Sequence, residues 1–221
     1  MEDLRKFHND VKRRLIQSIT RKGSYVLDVG CGFGGDLKKW AQCGAVLFAC
    51  DPIKESLKEA RTRAATMKIP VTFFDGDILS CPDQTFDIVC YNFSMHYIFK
   101  SRTVFFKSIH AIRKRMRTGS KLVGIIPDSE SILMATPFKD HLGNIVVRAS
   151  NTVGFGEFGE QILVELVDTP FYKDGMRPEP LAYKDLLVTH LEELGLRLES
   201  WQPLAPSGIS GLYSAFIFVC L

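Results

Sequence analysis

Three acidic residues follow three short apolar segments of this chain in a pattern typical of a ligand site at the rim of a sheet. Asp28 lies at the end of the first apolar segment, Asp51 directly follows the second, and Asp77 comes shortly after the third. The carboxyl ends of parallel strands meet at one edge of a sheet, so the three carboxylates are expected along one rim. Asp51 also follows Gly30 at close to the ~20-residue spacing at which an acid accepts hydrogen bonds from ribose hydroxyls. The pattern predicts a ligand that contains a nucleoside.

The turn after the first segment, Gly30-Cys-Gly-Phe-Gly-Gly35, is rich in glycine. Glycine tolerates φ > 0 and has no Cβ, so Gly30 and Gly32 would let the backbone approach a ligand closely. Asp28 would repel the pyrophosphate that such a turn binds in dinucleotide folds. It would attract the ammonium and sulfonium groups of S-adenosylmethionine. The turn therefore favours a methyl donor over NAD.

In this interpretation Asp51 accepts hydrogen bonds from the ribose diol of the methyl donor, and Asp77 accepts one from the adenine amino group. Asp28 faces the amino-acid end. A purely structural alternative stays open at this point, because Asp28 could cap the glycine turn and Asp51 could cap the helix that begins after Pro52.

A second group of residues follows the fourth apolar segment, in the stretch 91–101 (YNFSMHYIFKS). A lone histidine such as His96 is more often structural than functional. Here Phe93 and Tyr97 accompany it, and flat rings beside hydrogen-bonding groups suit a stacked nucleobase. This stretch is therefore predicted to meet the substrate at the same rim.

Strands and helices alternate along the chain, which predicts an α/β fold with a parallel, doubly wound sheet. Helices are predicted over 4–19, after Gly35, and over 53–67, 102–116, 129–135 and 183–195; strands are predicted over 25–29, 45–50, 71–74, 86–91, 121–126, 144–149, 161–167, 196–202 and 212–219. The last two strands, joined by a short loop with proline and glycine, predict an antiparallel hairpin at the sheet edge. Region 129–178 departs from this alternation of strands and helices.

Size and composition indicate a single intracellular domain. The chain has 221 residues, 46% of them hydrophobic, and a formal charge of +3, which is too mild to demonstrate a polyanionic partner. No apolar run is long enough to span a bilayer, and the charged N-terminus argues against a signal peptide. The six cysteines form no C-x-x-C pair, which favours reduced core thiols over a disulfide framework or a metal site.

At this point the sequence resembles the mRNA cap (guanine-N7) methyltransferases over most of its length. The resemblance rests on the following motifs: FHNDVK (7–12), LDVGCGFGGDLKKW (27–40), FSMHYIF (93–99), GIIPD (124–128), Pro178-Glu179 and LYSAFIF (212–218). The glycine turn is shared by many methyltransferases, whereas the order of the later motifs is much more specific. The compact length resembles the methyltransferase module of a large-DNA-virus capping enzyme.

The resemblance implies a Rossmann-like class I fold, with a mostly parallel seven-stranded sheet, a terminal antiparallel hairpin and a small insertion after the fifth strand. It implies S-adenosylmethionine as cofactor and N7 of a cap guanine as methyl acceptor. The methyl-donor residues would be Lys12, Asp28, Gly30, Gly32, Asp51, Asp77 and Asn92, and the cap-guanine residues would be Phe93, His96, Tyr97, Pro127, Glu179 and Tyr213. No residue is assigned as an acid or base, because guanine N7 has a lone pair and no proton to lose.

The sequence departs from the family pattern near Glu179. That glutamate is followed by Pro180 instead of an aromatic residue, and the preceding stretch 171–177 looks inserted. Glu165 therefore remains a rival for the carboxylate that pairs with the N–H and exocyclic amino groups of guanine. The role of Asn9 also stays open.

Two runs of basic residues could neutralise the triphosphate bridge and the RNA of a capped substrate. They comprise Lys100, Arg102, Lys107, Arg113, Lys114, Arg115, Arg117 and Lys121, and Arg5, Lys6, Lys12, Arg13, Arg14, Arg21 and Lys22. Solvated helix faces are an equally good interpretation, and only Lys12, Arg13 and Lys100 are weakly favoured as contacts.

We expect a single domain over 1–221 with four parts. These are an N-terminal helix (1–22), a methyl-donor core (23–127), a cap-side insertion (about 128–180) and a C-terminal helix with a hairpin (181–221). Expected partners are capped RNA and, if the chain belongs to a larger capping polypeptide, triphosphatase and guanylyltransferase domains, with no membrane. The location would be cytoplasmic for a viral protein and nuclear for a cellular one. The alternatives are an inactive module that stimulates a capping partner, and a methyltransferase that acts on another base or a small molecule.

Overall fold

The structure is a computed structural model that describes residues 4–147, 157–167, 172 and 174–221. The helices are α1 (Leu4–Ile19), α2 (Leu37–Gln42), α3 (Lys54–Met67), α4 (Arg102–Lys114), α5 (Ser129–Ala135) and α6 (Lys184–Glu193). The strands are β1 (Tyr25–Val29), β2 (Val46–Asp51), β3 (Val71–Asp75), β4 (Phe86–Asn92), β5 (Met116–Pro127), β6 (Phe138–Lys139), β7 (Gly143–Val147), β8 (Gln161–Leu166), β9 (Arg177–Pro180), β10 (Leu196–Pro203) and β11 (Tyr213–Cys220). Short 3₁₀ turns cover Ile78–Ser80, Met95–Lys100 and Ile209–Leu212.

Seven strands form the main sheet in the order β10-β11-β5-β4-β1-β2-β3. Strands β1 to β5 run parallel, and β11 is antiparallel to both β5 and β10. The sequence-based prediction of a mostly parallel sheet with a terminal antiparallel hairpin is therefore confirmed. The carboxyl ends of β1, β2 and β4 lie side by side, because β1 is the strand between the other two.

Helices cover both faces of the central strands, which explains why β1 and β4 are almost continuously apolar. On one face Ile16, Trp40 and Ala64 of three helices pack against Val26 and Leu47. The opposite face packs against α4 and α6. Trp40 is fully buried, and burying a side chain of that size contributes roughly 3 kcal/mol or more. The two cores hold the rim of the sheet in place.

A second sheet is antiparallel and has four strands, in the order β6-β7-β8-β9. It is formed by the region that departs from the predicted alternation of strands and helices. Ile162 and Val164 of β8 are fully buried against Ile125 of β5 and Tyr213 of β11. This packing holds the second sheet, which includes β9, against β5 and β11 of the main sheet. Strands β6 and β9 were not predicted.

The other boundaries differ little from the predicted ones. Helix α4 ends at Lys114 instead of 116, and β5 begins at Met116 instead of 121, with a register irregularity opposite β4. The predicted strand 144–149 is observed as Gly143–Val147, and its last two residues lie outside the described part of the chain. The sequence also predicts a glycine-rich turn after this strand, with Gly154, Gly156 and Gly159, and the first two of these lie outside the described part of the chain. Within the described ranges, no helix is both long enough and apolar enough to cross a bilayer.

Candidate functional site

The glycine turn after β1 is held by the neighbouring strand β2. The amides of Gly30 and Cys31 both donate to the carbonyl of Cys50, at 2.8 and 3.0 Å. Gly30 and Gly32 adopt φ of 71° and 52°, a region that side chains with a Cβ rarely occupy. The turn is therefore a preformed backbone cradle at the carboxyl end of the sheet.

Asp51 organises this cradle from the end of β2. One carboxylate oxygen accepts from the amide of Gly32 at 2.7 Å, and the other accepts from the amide of Ile53 at 2.8 Å, where α3 begins. Asp51 therefore has a structural role in holding the turn and the residue before α3, although the N-cap of that helix is Ile53 and not Asp51. Each oxygen keeps a second acceptor position, so the carboxylate can also accept from a ligand diol.

Four charged side chains meet beneath the turn and form what is called here the charge cluster: Lys12, Asp28, Asp36 and Lys39. The Nζ atoms of Lys12 and Lys39 lie 2.9 and 2.7 Å from the same oxygen of Asp36. Asp28 and Asp36 are both buried. Lys39 also donates to the side chain of Asn9 at 2.9 Å, which gives that residue a structural partner.

The charge cluster separates the pKa values of its two carboxyl groups. Burial, followed by repulsion from Asp36, raises the pKa of Asp28 to about 7, against the pull of Lys12 and Lys39. Burial also acts on Asp36, but the two ammonium groups outweigh it and lower the pKa of that carboxyl to about 2. Asp36 is therefore already neutralised by its lysines, whereas the Asp28 carboxylate lacks a full counter-charge. A cationic ligand group would supply it.

Two further residues predicted on the methyl-donor side have distinct surroundings. Asp77 is exposed, and its side chain accepts from the amide of Leu79 at 2.9 Å, which caps the turn Ile78–Ser80. Asn92 donates to Asp36 at 3.0 Å. The side-chain oxygen of Asn92 is buried without a hydrogen-bond partner among the described residues. An unpaired buried acceptor of this kind is costly unless a ligand satisfies it.

Next to this cradle lies an aromatic pocket, defined by Phe93, His96, Tyr97, Tyr172, Glu179 and Tyr213. Phe93 has φ of 59°, which is unusual for a residue with a side chain and costs about 1–3 kcal/mol. Its ring centroid is 5.6 Å from that of Tyr213, while those of His96 and Tyr97 are 4.2 Å apart. Tyr97 is 50% exposed, so the pocket opens to solvent beside it. Pro127 is buried and pairs with Tyr213 across β5 and β11.

Glu179 is the only carboxylate in the aromatic pocket as defined. Its side chain is buried, with one oxygen 3.2 Å from Nε2 of His96 and the other accepting a hydrogen bond from the hydroxyl of Tyr172. Burial acts to raise the pKa of Glu179, but the charge interaction with His96 and the hydrogen bond from Tyr172 outweigh burial, so the net pKa lies below its usual value. The pocket therefore holds an ionised acceptor against aromatic walls.

The rival Glu165 lies elsewhere. Glu179 of β9 pairs directly with Ile162 of β8, so Glu179 shares its face of the second sheet with the buried Ile162 and Val164. Side chains alternate along a strand, so Glu165 points to the opposite face. The geometry favours Glu179 as the carboxylate of the pocket.

Three buried polar atoms of the pocket have no hydrogen-bond partner within the described part of the chain: the hydroxyl of Tyr213 and both ring nitrogens of His96. Nε2 of His96 lies 3.2 Å from Glu179, within ion-pair distance but without the geometry of a hydrogen bond. Tyr213 also lies close enough to Glu179 and Tyr97 to interact with them electrostatically. Buried polar groups are normally satisfied, so the pocket is suited to a flat ligand with hydrogen-bonding atoms at its edge.

Helix α1 connects the charge cluster to the aromatic pocket. His8 donates to or accepts from Ser210 at 3.0 Å, and its ring lies 5.1 Å from that of Phe93. Burial and the charge of Lys12 lower the pKa of His8 to about 4, so the ring is neutral at neutral pH. Lys12, one helical turn further on, reaches the charge cluster. The same helix thus borders both parts of the site.

Five of the eight basic residues between 100 and 121 have partners within the protein, which favours a structural interpretation for those five. Arg115 is buried, and Arg113 donates to the carbonyl of Leu194 at 2.9 Å. Lys114, Arg117 and Lys121 pair with Asp83, Asp87 and Glu199, respectively. These acids come from other elements, so sequence spacing alone could not reveal the pairs. In the N-terminal run, Lys12 points into the charge cluster and Arg13 pairs with Asp10.

The structure brings the residues predicted for each half of the site close together, and it adds neighbours that were not predicted. The missed residues are His8, Asp36, Lys39, Ser94 and Tyr172. Asp36 and Lys39 lie inside the glycine-turn motif with the i, i+3 spacing of a helical ion pair, which is a signal that could have indicated them. Tyr172 lies in a stretch that looked like an insertion and gave no such signal.

Comparison with known proteins gives a family. The family profile described as the mRNA (guanine-N(7))-methyltransferase domain matches residues 1–162, which is more than half of the chain. The chain is 34% identical over 144 residues to an mRNA cap guanine-N(7) methyltransferase of Saccharomyces cerevisiae, covering 58% of this chain and 33% of that protein. The counterpart in Schizosaccharomyces pombe is 33% identical over 164 residues, covering 66% and 46%. The chain thus spans less than half the length of these relatives.

Solved structures support the fold. A protein from Pyrococcus horikoshii, PH0226, superposes with a TM-score of 0.74 at 16% identity, covering 100% of this chain and 92% of that one. The glycopeptide N-methyltransferase MtfA in complex with S-adenosyl-L-methionine gives a TM-score of 0.65 at 16% identity, covering 97% and 94%. At this identity the likeness shows a common architecture.

Proposed function

This chain belongs to the mRNA (guanine-N(7))-methyltransferase family, and from that premise we propose that it transfers a methyl group from S-adenosylmethionine to N7 of the guanine in a GpppN-RNA cap. The observation that carries the proposal is the buried, ionised Glu179 within the aromatic pocket, beside the glycine cradle and its charge cluster. A carboxylate reads the adjacent N–H and exocyclic amino groups of guanine as a bidentate pair.

The methyl-donor side fits S-adenosylmethionine through three features. The Asp28 carboxylate lacks a full counter-charge and suits the ammonium group of the amino-acid moiety. Asp51 has acceptor positions left for a ribose diol, and Asp77 for the adenine amino group. Gly30 and Gly32 supply the close backbone approach, while Lys12 and Asn92 hold Asp36 and complete the wall around Asp28.

The acceptor side fits a guanine held edge-on to Glu179. Phe93, Tyr97 and Pro127 provide apolar and aromatic contact surfaces for the base. The unpaired hydroxyl of Tyr213 and Nδ1 of His96 are available for hydrogen bonds to the base or its ribose. Binding at the amino edge leaves N7, on the far side of the purine, directed toward the methyl donor.

When bound, S-adenosylmethionine supplies a methyl group on a sulfonium sulfur. The Gly30 turn, Asp28 and Asp51 would hold it so that this methyl group passes to the lone pair of guanine N7, with the electrons of the broken C–S bond left on the thioether sulfur. N7 carries no proton, so no side chain has to remove one, and His96 acts by its position. Holding both partners in line at about 3–3.5 Å can account for roughly 7–11 kcal/mol of barrier reduction.

One assay tests the proposal directly. Labelled methyl transfer from S-adenosylmethionine is measured with GpppA-capped RNA, with the same RNA bearing an uncapped 5′ triphosphate, and with GTP. We expect 7-methylguanosine after nuclease digestion of the capped RNA only, or at a rate far above the other acceptors. A protein that binds the methyl donor but methylates none of them would instead be the inactive, partner-binding module, and preference for another acceptor would identify a different methyltransferase.

Replacing Asp51 tests the methyl-donor side. We expect Asp51→Ala to weaken S-adenosylmethionine binding by about 10-fold or more, because it removes a ribose acceptor and also releases the amide of Gly32. Isothermal titration calorimetry measures the change. Asp75→Ala is the matched control, since Asp75 ends the next strand but is exposed and pairs with Arg61. Equal affinity of the Asp51 variant and this control would restrict Asp51 to a capping role.

Removing the hydroxyl of Tyr172 tests the support of Glu179. We expect Tyr172→Phe to raise KM for capped RNA by about 5–10-fold, because the carboxylate loses a buried charge-assisted hydrogen bond. Steady-state kinetics at saturating methyl donor measures it. Tyr183→Phe is a suitable control, because its hydroxyl makes an equivalent bond to Glu160 outside the aromatic pocket. A variant with unchanged KM would show that Glu179 is positioned without Tyr172.

We further propose that capped RNA is the partner of the site, that triphosphatase and guanylyltransferase domains act before this module, and that the protein works inside the cell. Support for the first is the base-binding chemistry of the aromatic pocket. The second follows from the substrate, because a GpppN end has to be formed before it can be methylated.

A further inference from the structure

Ser94 links the glycine cradle to the aromatic pocket. Its hydroxyl donates to the carbonyl of Val29, the last residue of β1, at 2.6 Å. Its Cβ fills the space where Gly30 lacks one: a Cβ built on Gly30 would lie 2.5 Å from Cβ of Ser94 and 2.9 Å from its Oγ. The side chain therefore holds the start of the cradle by a hydrogen bond and by direct packing.

The residues on either side of Ser94 are fixed as well. Asn92 donates to Asp36 of the charge cluster at 3.0 Å, and the amide of Phe93 donates to the carbonyl of Ile125 at 2.8 Å. Phe93 has a left-handed backbone conformation, which turns the chain sharply between the two anchored neighbours. Asn92 and Ser94 thus attach the beginning of the acceptor segment, residues 92–97, to the methyl-donor side of the site, whereas Phe93 attaches it to β5.

From this geometry we propose that Ser94 is a positioning residue that sets the alignment of the methyl donor with the acceptor base, by locking the Gly30 turn against the segment that carries Phe93, His96 and Tyr97. This inference rests on the proposed methyl transfer and deepens it. Ser94 need not touch either substrate. Its hydroxyl and its Cβ are both engaged by the cradle, so it acts through the residues on its two sides.

The physical reason is that alignment is the main contribution available to this enzyme. A displacement of about 1 Å between reacting atoms can cost on the order of 100-fold in rate even where binding is retained. Loosening the contact between cradle and acceptor segment should thus reduce the rate of transfer more than it reduces the affinity for either substrate.

The first test is Ser94→Ala, which removes the hydrogen bond and keeps the Cβ. We expect kcat for methylation of capped RNA to fall by about 10-fold or more, with the Kd for S-adenosylmethionine and the KM for capped RNA within about 3-fold of wild type. Ser120→Ala is the matched control, because Ser120 makes the same kind of bond, to the carbonyl of Phe86 at 2.7 Å, away from the site. Losses confined to Kd and KM, or an equal loss in both variants, would overturn the proposal.

The second test uses the packing of Ser94 on Gly30. Gly30→Ala should abolish most of the activity, since the new Cβ meets Ser94 and the φ of 71° is unfavourable for alanine. Combining Gly30→Ala with Ser94→Gly removes the side chain that the new Cβ would otherwise meet. We expect the double variant to be at least about 5-fold more active than Gly30→Ala alone, although Ser94→Gly is itself harmful. A double variant no more active than Gly30→Ala would contradict the packing role.

A third measurement separates this inference from the proposed function. Amide hydrogen exchange of the free protein should be faster in Ser94→Ala than in Ser120→Ala, both at residues 30–35 and at residues 93–97. If the wild-type protein transferred no methyl group to capped RNA, the proposed function would be wrong. The exchange rates would still show whether Ser94 links residues 30–35 to residues 93–97. Unchanged exchange in both segments, or a change in one alone, would exclude Ser94 as the link.

Discussion

Glu179→Gln is expected to lower kcat/KM for cap methylation by about 1,000-fold, which corresponds to ~4 kcal/mol, while the affinity for S-adenosylmethionine stays within about 3-fold. Glu179 is buried and ionised, and glutamine can accept only one hydrogen bond at the edge where guanine offers two donors. Its own amino group would face the exocyclic amino group of the base. A site built around paired hydrogen bonds rejects a mismatched partner strongly.

The matched control for this variant is Glu165→Gln. Glu165 lies on the opposite face of the second sheet, so its replacement should leave kcat/KM within about 2-fold of wild type. Circular dichroism and thermal unfolding of both variants check that they fold. Full activity of Glu179→Gln, together with loss of activity in Glu165→Gln, would identify Glu165 as the carboxylate that binds guanine.

The main sheet was predictable from sequence because its signals are local. Segments such as Tyr25–Val29 and Phe86–Asn92 are mostly apolar, and helices of regular spacing separate the strands. That alternation leaves only a handful of topologies, all with a parallel sheet. The rim residues followed from the same logic, since a residue at a strand's carboxyl end is placed by the strand itself. Asp28 and Asp51 lie where this reasoning put them.

The second sheet was only half predictable, because its last strand lacks any local signature. Strand β9 consists of Arg177, Pro178, Glu179 and Pro180, a composition that normally argues against a strand. It is tolerated because β9 is at the edge of the four-stranded sheet. Pairing with Ile162 and the contacts to His96 and Tyr172 determine it. The contact with His96 joins residues far apart in sequence, and none of these contacts leaves a pattern within β9 itself.

Charge was the least predictable property of the site. The number of lysines and arginines is visible in the sequence, but their partners are not. Lys12 reaches Asp36 from another helix, and Arg117 reaches Asp87 from another strand. Burial then changes the ionisation of the carboxyl groups. It raises the pKa of Asp28 to about 7, whereas at Asp36 the two lysines outweigh burial and lower the pKa to about 2. A run of cations therefore predicts a nucleic-acid surface only when the fold leaves those cations unpaired.

Asp28→Asn is expected to weaken S-adenosylmethionine binding by about 100-fold, or ~2.7 kcal/mol, because it removes the carboxylate proposed to pair with the ammonium group in a buried site. The same variant should be at least as stable as wild type at pH 8. The folded-state pKa of Asp28 is about 7, above its ordinary value of 3.8. The carboxyl group therefore costs the fold increasing stability as the pH rises from about 4 to about 7, and asparagine avoids that cost. Thermal unfolding at pH 8 measures it.

The raised pKa also makes binding of the methyl donor pH-dependent. Below pH 7 the free protein carries a proton on Asp28, and a bound ammonium group favours its ionised form, so binding releases a proton. The affinity of wild type should fall by up to about 10-fold per pH unit below 7 and level off above it. Calorimetry at pH 6 in two buffers of different ionisation enthalpy counts the released protons, and Asp28→Asn should release none. Equal proton release from both proteins would mean that another group, not Asp28, meets the charge of the methyl donor.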